Sequence, residues 1–212
     1  MIALALSVPI ACWRKGAARE FLETELLPPP ATCYGALLSL VGEEERHRHL
    51  GCRIGVGLLR KEKRAKSTVL RTLWRIKDKN LSQGNGENAK PDFQELWIGS
   101  QLVIWCDSQE EDSSLLGLEE RVTQAMRYPE TIERFGGWSL GESTHLINEA
   151  KLLSSLVPPG PCHAYLLAPR GNLSLPVWVD HVGTANTRYA VGRLEALSVA
   201  PPRERLPKIS LV

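Results

Sequence analysis

Residues 60–79 read RKEKRAKSTVLRTLWRIKDK, and residues 91–107, PDFQELWIGSQLVIWCD, follow after a polar stretch. In the first segment, mainly apolar residues at every second position alternate with basic residues. A repeat of two residues is typical of a β-strand whose two faces differ in character. The first set is Leu70, Thr72, Trp74 and Ile76, and the basic set is Arg71, Arg75 and Lys77. The second segment is rich in branched and aromatic residues and predicts the returning strand. The glycine-containing residues 80–90 suit the tip of a long hairpin.

A helix is the alternative for the first arm, because Val69, Leu73 and Ile76 also share a helical stripe. The environment of Trp74 has two interpretations as well. Its ring is available to stack on a nucleobase, since every base has a π-face, or it packs in the base of the hairpin. The sequence favours the strand and leaves the place of Trp74 open.

The same segment concentrates the positive charge of the chain. Residues 60–79 contain nine Lys and Arg and two acidic residues, whereas the rest of the 212-residue chain contains 17 basic and 22 acidic residues. A strongly positive segment on a mildly acidic body is the pattern of a polyanion site, most commonly for nucleic acid. A solvated basic face without a ligand explains the charge equally well.

Outward from the hairpin, the hydrophobic pattern predicts further strands and helices. Residues 1–11 predict a buried first strand, and the prolines of LLPPPATCYGALLSLVG, residues 26–42, introduce a helix over 31–41. A second strand at 52–59 runs directly into the basic segment. A second helix is expected over 115–128, and a strand follows the glycine tract. This order approximates βαββαβ, the ferredoxin-like arrangement shared by RNA-recognition modules.

The last third of the chain predicts three short strands, at 162–167, 175–182 and 189–197. We therefore expect an α+β protein in which a ferredoxin-like domain over 1–157, with a hairpin at about 60–91, precedes a small β-rich portion over 158–212. No run approaches the roughly 18 apolar residues that a membrane span needs, so no membrane contact is expected. Five cysteines without a C-x-x-C pair predict free thiols and a cytoplasmic location.

The second candidate site is the glycine tract RFGGWSLGESTH, residues 134–145. Glycines let backbone amides approach a phosphate closely, and the neighbouring cation and aromatic rings add charge and stacking surface. A glycine-rich turn that serves only packing fits the same residues. The tract matches neither the dinucleotide fingerprint nor the phosphate-binding loop, and no HExxH or nucleophile elbow occurs. No metal and no cofactor are predicted. Metal-independent RNA cleavage needs only a general acid and base and stays open.

Two of these segments resemble a known family. The entry to the first helix, with PPPATCYG as its most specific piece, and the glycine tract are similar to segments of CRISPR-associated Cas family 5 proteins, especially DevS-like members of type I-B, Myxococcus-type systems. The resemblance implies a ferredoxin-like RAMP domain that caps one end of the Cascade complex and holds the 5′ handle of the CRISPR RNA. Implied partners are the first backbone subunit, the large subunit and target DNA near its flanking motif.

By position, the resemblance implies that the hairpin is the family's thumb, whose basic residues contact RNA or the neighbouring subunit. It also implies that residues of the first loop and of the glycine tract line the site of the RNA handle. The thumb residues are Lys61, Lys63, Arg64, Lys66, Arg71 and Arg75; those of the first loop are Arg14, Lys15 and Arg19; those of the glycine tract are Arg134, Gly136, Gly137 and Trp138.

One branch of the family cleaves precursor RNA with a tyrosine, a lysine and a histidine. Tyr34 falls near the position of that tyrosine, but no adjacent Lys-His pair occurs at the matching strand. We therefore expect a non-catalytic RNA-binding subunit. The alternatives are a metal-independent endoribonuclease of the self-processing branch and a generic basic-hairpin protein that binds RNA by charge alone.

Overall fold

The computed structural model describes residues 1–16, 21–60, 63–74, 80, 89–112, 114, 116–134, 136–182 and 185–211. Its strands are β1 (Ile2–Ala11), β2 (Phe21–Leu22), β3 (Arg53–Leu59), β4 (Ala65–Trp74), β5 (Ala89–Asp107), β6 (Glu149–Leu152), β7 (Cys162–Leu167), β8 (Leu173–Trp178) and β9 (Arg188–Leu197). Its helices are α1 (Pro30–Leu40) and α2 (Leu118–Arg127). No helix within these ranges is long and apolar enough to cross a membrane.

Strand β5 organises the sheet, because most of its neighbours pair with it. Its second half pairs antiparallel with β1 on one side and with β3 on the other. Its first half pairs antiparallel with β4, from Ala65 opposite Ile98 to Trp74 opposite Ala89. The strand predicted for the first arm is therefore confirmed over 65–74, and the helical alternative is wrong there. Most of the predicted tip lies outside the described residues.

Strands β3 and β4 follow one another along the same edge of β5, with an irregular junction between them. Arg60 has φ 48° at this junction, and Gly99 has φ 73° on the facing strand. The Lys63 N–H donates to the Arg60 carbonyl at 2.9 Å, which closes a turn. Left-handed backbone is uncommon for a residue with a Cβ atom. The junction thus separates the core strand β3 from the hairpin strand β4.

Both helices cover one face of the sheet. Helix α1 begins at Pro30, whose fixed φ suits the first helical position, and buries Leu37 and Leu38 in the core. It ends before Gly42, which has φ 66° and where a Cβ would lie 2.2 Å from the Glu133 carbonyl oxygen. Only glycine fits there. The helix predicted over 31–41 is confirmed within one residue, and the second helix is confirmed within a shorter range.

The opposite, helix-free face is packed around Trp105. Its indole lies over Gly57 of β3, where a Cβ would come within 3.1 Å of the ring and 2.4 Å of Cys162 Sγ. Leu206 from the C-terminal segment covers the neighbouring Gly55. The glycines of CRIGVGLL therefore make room for a tryptophan, which is a packing role that their strand pattern alone does not reveal. All five cysteines are buried free thiols.

The C-terminal strands extend the same sheet. Strand β7 pairs with β3, and β9 then joins β7 to β8, which gives the order β6-β1-β5-β3-β7-β9-β8. The three short strands predicted here are confirmed, with β8 beginning two residues earlier than expected. Strand pairing crosses the predicted division at 157–158, which stays a prediction about folding units. The sequence analysis missed β2, which lies in the first loop between β1 and α1 and pairs parallel with β5 at Phe93 and Gln94.

Candidate nucleic-acid interface

The two faces of the hairpin have unexpected surroundings. Leu70 and Arg71 lie on opposite faces of β4, as the predicted alternation requires, whereas the other side chains of the two predicted sets, at 72–77, lie outside the described residues. The apolar residue Leu70 is 64% exposed and lies opposite Phe93, which is 55% exposed. Phe21 of β2 pairs with Phe93 on its other side and is 42% exposed. We call Phe21, Phe93 and Leu70 the apolar row. It crosses three adjacent strands and faces solvent in the described part of the chain.

Arg71 lies on the other face of the hairpin and contacts protein. Its Nη1 donates to the Gln94 side-chain oxygen at 2.8 Å and to both carboxylate oxygens of Glu142, at 2.9 and 3.1 Å. Gln94 Nε2 donates to the same carboxylate at 2.9 Å. Glu142 belongs to the glycine tract, so this cluster ties the hairpin to the tract. The two candidate sites predicted separately are thus brought together, and a carboxylate offsets the charge of Arg71.

Two further basic residues of the hairpin have partners inside the fold. Lys66 Nζ lies 2.5 Å from Glu95 Oε1, and this hydrogen bond is the main cause of the lowered pKa of Glu95. The Arg64 guanidinium lies 3.6 Å from the centre of the Trp97 ring and donates from Nη1 to the Leu26 carbonyl at 2.7 Å. Burial lowers the pKa of Arg64 to about 10. Arg64 therefore stabilises the base of the hairpin, whatever else it contacts.

The remaining predicted hairpin residues differ in what the structure describes. Lys63 is exposed beside the β3–β4 junction. Lys61 and Arg75, together with Arg19 of the first loop, lie outside the described residues, and so does the side chain of Trp74.

The first loop folds back on itself as a small ladder. Arg14 forms a bridge with Thr24, and the Lys15 N–H donates to the Glu23 carbonyl at 3.0 Å. Arg14 is exposed, and the Lys15 side chain is 44% exposed, with its Nζ 3.7 Å from the Glu23 carboxylate. The side chains of Arg14 and Lys15 thus lie at the surface beside the strand β2.

The glycine tract combines open and packed positions. Gly136 has φ 78° and open space around its Cβ position, and Arg134 is exposed beside it. A Cβ on Gly137 would come within 2.8 Å of the Leu146 side chain. Trp138 donates from its indole N–H to the Ala36 carbonyl at 2.8 Å, so its ring is held against α1. The half-buried Trp138 therefore offers only part of its surface for stacking, and Phe135, the other aromatic residue of the tract, lies outside the described residues.

His145 anchors the tract, a role that no local pattern in the sequence indicates. Its Nδ1 accepts hydrogen bonds from the Cys12 N–H at 3.3 Å and from the Glu142 N–H at 3.2 Å. Two donors at one nitrogen require that nitrogen to be unprotonated, and burial lowers the pKa of His145. The tract is thereby fixed to the end of β1, next to the first loop. The hairpin base, the first loop and the tract form one continuous region.

A separate cleft of about 520 Å³ lies between α1, the tract and the end of β8. The Tyr34 hydroxyl beside it is buried and donates to the Arg46 carbonyl at 2.7 Å. Burial raises the pKa of Tyr34, which opposes its use as a base. Arg46 lies 4.4 Å from the Trp178 ring centre. Within the described ranges, no three His, Cys, Asp or Glu residues cluster as metal ligands.

A curated relative decides the family. The chain is 62% identical over 211 residues to the CRISPR-associated protein Cas5 of Myxococcus xanthus (strain DK1622), and the match covers 100% of this chain and 98% of that protein. The chain belongs to the Cas5 family. The resemblance found in the helix entry and the glycine tract is confirmed at this level. No family model matches the sequence.

Two solved structures share the fold of this Cas5 family member. A chain described as "CRISPR RNA-guided surveillance complex" has a TM-score of 0.61 at 10% identity, covering 97% of this chain and 95% of that one. A second, described as "Crystal structure of Cas protein", has a TM-score of 0.51 at 14% identity, covering 98% and 97%. At these identities the likeness shows the α+β fold with its large antiparallel sheet.

Proposed function

We propose that this Cas5 family member is a non-catalytic subunit of a type I Cascade complex, of the I-B type, that binds the 5′ handle of the CRISPR RNA. The observation that carries the proposal is the joining of hairpin, first loop and glycine tract into one region around Arg71, Glu142 and His145. The surveillance-complex chain of similar fold supports the complex as its setting.

The strand order supports a ferredoxin-like core. In the sheet, β6, β1, β5 and β3 are neighbours in that order, all antiparallel. Helices α1 and α2 follow β1 and β5 in the chain and lie together on one face. This order matches the split βαβ arrangement of RNA-recognition modules, which supports our proposal of a ferredoxin-like domain with the β4–β5 hairpin as its thumb.

The hairpin has two tasks in this proposal. Lys63 at the base of the hairpin and Arg14 of the neighbouring first loop are exposed, and we assign both to phosphate contacts, while the apolar row offers a contact surface for a protein. Large apolar side chains grouped on a surface mark protein interfaces. We assign the row to the first backbone subunit of the complex. The large subunit, and the target DNA near the motif that flanks the target, would then lie on the side of the protein that binds the RNA handle.

RNA binding is tested by salt titration. The purified protein is titrated with RNA carrying the repeat-derived 5′ handle and with a scrambled RNA of equal length. Contacts that depend on charge alone weaken with salt for both RNAs. We expect handle binding to persist at a salt concentration that abolishes binding to the scrambled RNA. Equal loss would favour the generic basic-hairpin alternative.

The endoribonuclease alternative is tested with the full repeat RNA in EDTA. The buried Tyr34 hydroxyl, its donated hydrogen bond and its raised pKa support the absence of cleavage. We expect the RNA to remain intact. Reproducible cutting that is lost in Tyr34→Phe would contradict the non-catalytic assignment and would identify a self-processing enzyme.

A further inference from the structure

The helix-free face of the sheet is covered over only part of its area. Around Trp105, it lies beneath Leu206 and other apolar residues. Farther along, Ser7 of β1 and Gln101 of β5 are paired neighbours that border an open cleft of about 270 Å³. The pairing register places Ser7 and Gln101 on the same face as Trp105, because side chains alternate along a strand.

Two cations border this cleft. Arg60 lies at the β3–β4 junction and Lys151 lies on β6, and both are exposed. Neither side chain forms an ion pair or hydrogen bond within the described part of the chain. By contrast, Lys66 and Arg71 are held by carboxylates. Glu149 also lines the cleft, so two cations and one carboxylate leave it with a positive charge.

The backbone of Arg60 is a second, independent observation. Its φ of 48° is in the left-handed region, where a Cβ atom is unfavourable and glycine is the relaxed choice. A residue kept in this conformation against its preference is more common at functional sites than elsewhere. Formation of the turn does not require an arginine at position 60. The arginine does, however, add a guanidinium group to the border of the cleft.

We propose that the cleft between Arg60 and Lys151 binds the phosphate backbone of single-stranded RNA. The two cations contact phosphate, and the side chains of Gln101 and Ser7 offer hydrogen bonds to the sugar or base of the same segment. The net positive charge of the cleft favours RNA over an apolar protein surface. This site rests on the proposed function and extends it to the helix-free face, away from the glycine tract.

The test compares salt dependence between matched variants. Arg60→Gln with Lys151→Gln removes both cations, and Arg127→Gln with Arg170→Gln removes two exposed cations elsewhere. Each lost phosphate contact with single-stranded nucleic acid lowers the slope of log K against log salt by about 0.7. We expect the first pair to lower the slope by about 1.4 and to weaken handle-RNA binding about 25-fold at about 0.1 M salt. The control pair should change neither.

Two further variants separate a binding role from a structural one. Arg60→Gly relaxes the left-handed backbone, so we expect a higher melting temperature together with weaker RNA binding. Arg60→Lys keeps the charge and should retain most of the salt slope. A purely structural Arg60 would give wild-type RNA affinity in Arg60→Gly, and that result would overturn the proposal.

The remaining outcomes of these experiments distinguish failure of the proposed cleft from failure of the proposed function. If the wild type binds the handle and the Arg60 and Lys151 pair matches its control, the cleft is excluded while the proposed function stands. If the wild type does not bind RNA, both fail. Competition by polyglutamate as strong as that by RNA of equal charge would assign the cleft to an acidic protein segment and overturn the RNA site.

Discussion

Arg71 Nη1 of the hairpin lies 2.9 Å from Glu142 Oε2 of the glycine tract, across 71 positions of sequence. Gln94 donates to the same carboxylate and accepts from Arg71, so three side chains form a closed cluster. This cluster sets the position of the hairpin relative to the glycine tract, the two segments for which we propose RNA binding.

The Arg71–Glu142 pair should contribute modestly to stability. Each side chain is about one-third exposed, so solvent screening limits the interaction, and we expect a coupling energy of about 0.5–1 kcal/mol. A double-mutant cycle with Arg71→Gln and Glu142→Gln in urea measures it. The coupling should fall as salt rises. A coupling of zero at low salt would show that the pair does not hold the two segments together.

The apolar row should matter for assembly and not for folding. Leu70→Ser and Phe93→Ser remove side chains that are more than half exposed, so the melting temperature should change little. Co-purification with the backbone subunit should fall. Val199→Ser is the matched control, since Val199 is 62% exposed outside the hairpin. Equal co-purification of all three variants would remove the row from the interface.

Replacing each of two glycines by alanine should change the stability of the protein in opposite directions. At Gly57 a Cβ would collide with Cys162 Sγ and approach Trp105, so Gly57→Ala should destabilise by about 1–3 kcal/mol through overpacking. At Gly35, an exposed position in α1, nothing lies within 4 Å of the added atom, so Gly35→Ala should stabilise by up to about 1 kcal/mol through helix propensity. Urea midpoints measure both. The same sign for both variants would contradict the described packing.

His145 should make stability depend on pH. Its pKa is lowered in the folded state, so the unfolded chain takes up the proton first as pH falls below about 6.5. The stability contributed by neutral His145 is fully present above that pH and is lost as pH falls toward the folded pKa. The free energy of unfolding of His145→Gln should therefore vary less between pH 7 and 5 than that of the wild type. His181→Gln, at an exposed position, should behave as the wild type; equal profiles for all three would contradict the role of Nδ1.

Local signals in the sequence were enough for much of the fold. Three prolines before α1 and Gly42 after it mark the ends of this helix. The alternation of mainly apolar and basic residues predicted β4. Contacts between residues that are far apart in the chain could not be predicted from such local patterns. Cys12 and His145 are 133 positions apart, and no local pattern indicates their hydrogen bond. Likewise, periodicity predicts strands in the C-terminal third but cannot tell that β7 pairs with β3.

Local sequence patterns were likewise insufficient to predict which residues of the candidate site are exposed. Charge located the basic hairpin, but it did not distinguish Arg64, which packs on Trp97, from Lys63, which is exposed. Both are basic residues of one segment, and only the positions of Trp97 and Leu26 separate them. Lys151 was missed because a lone lysine on a short strand carries no signal until the register places it beside the cleft.

The central claim is that this protein holds the 5′ handle of the CRISPR RNA within a Cascade complex. Photo-crosslinking with a thio-nucleotide in the handle of the assembled complex, followed by peptide identification, tests it most directly. We predict crosslinks to this chain in the region formed by the first loop, the hairpin base and the glycine tract. Crosslinks from the handle to other subunits alone, in a complex that contains this chain, would contradict the claim.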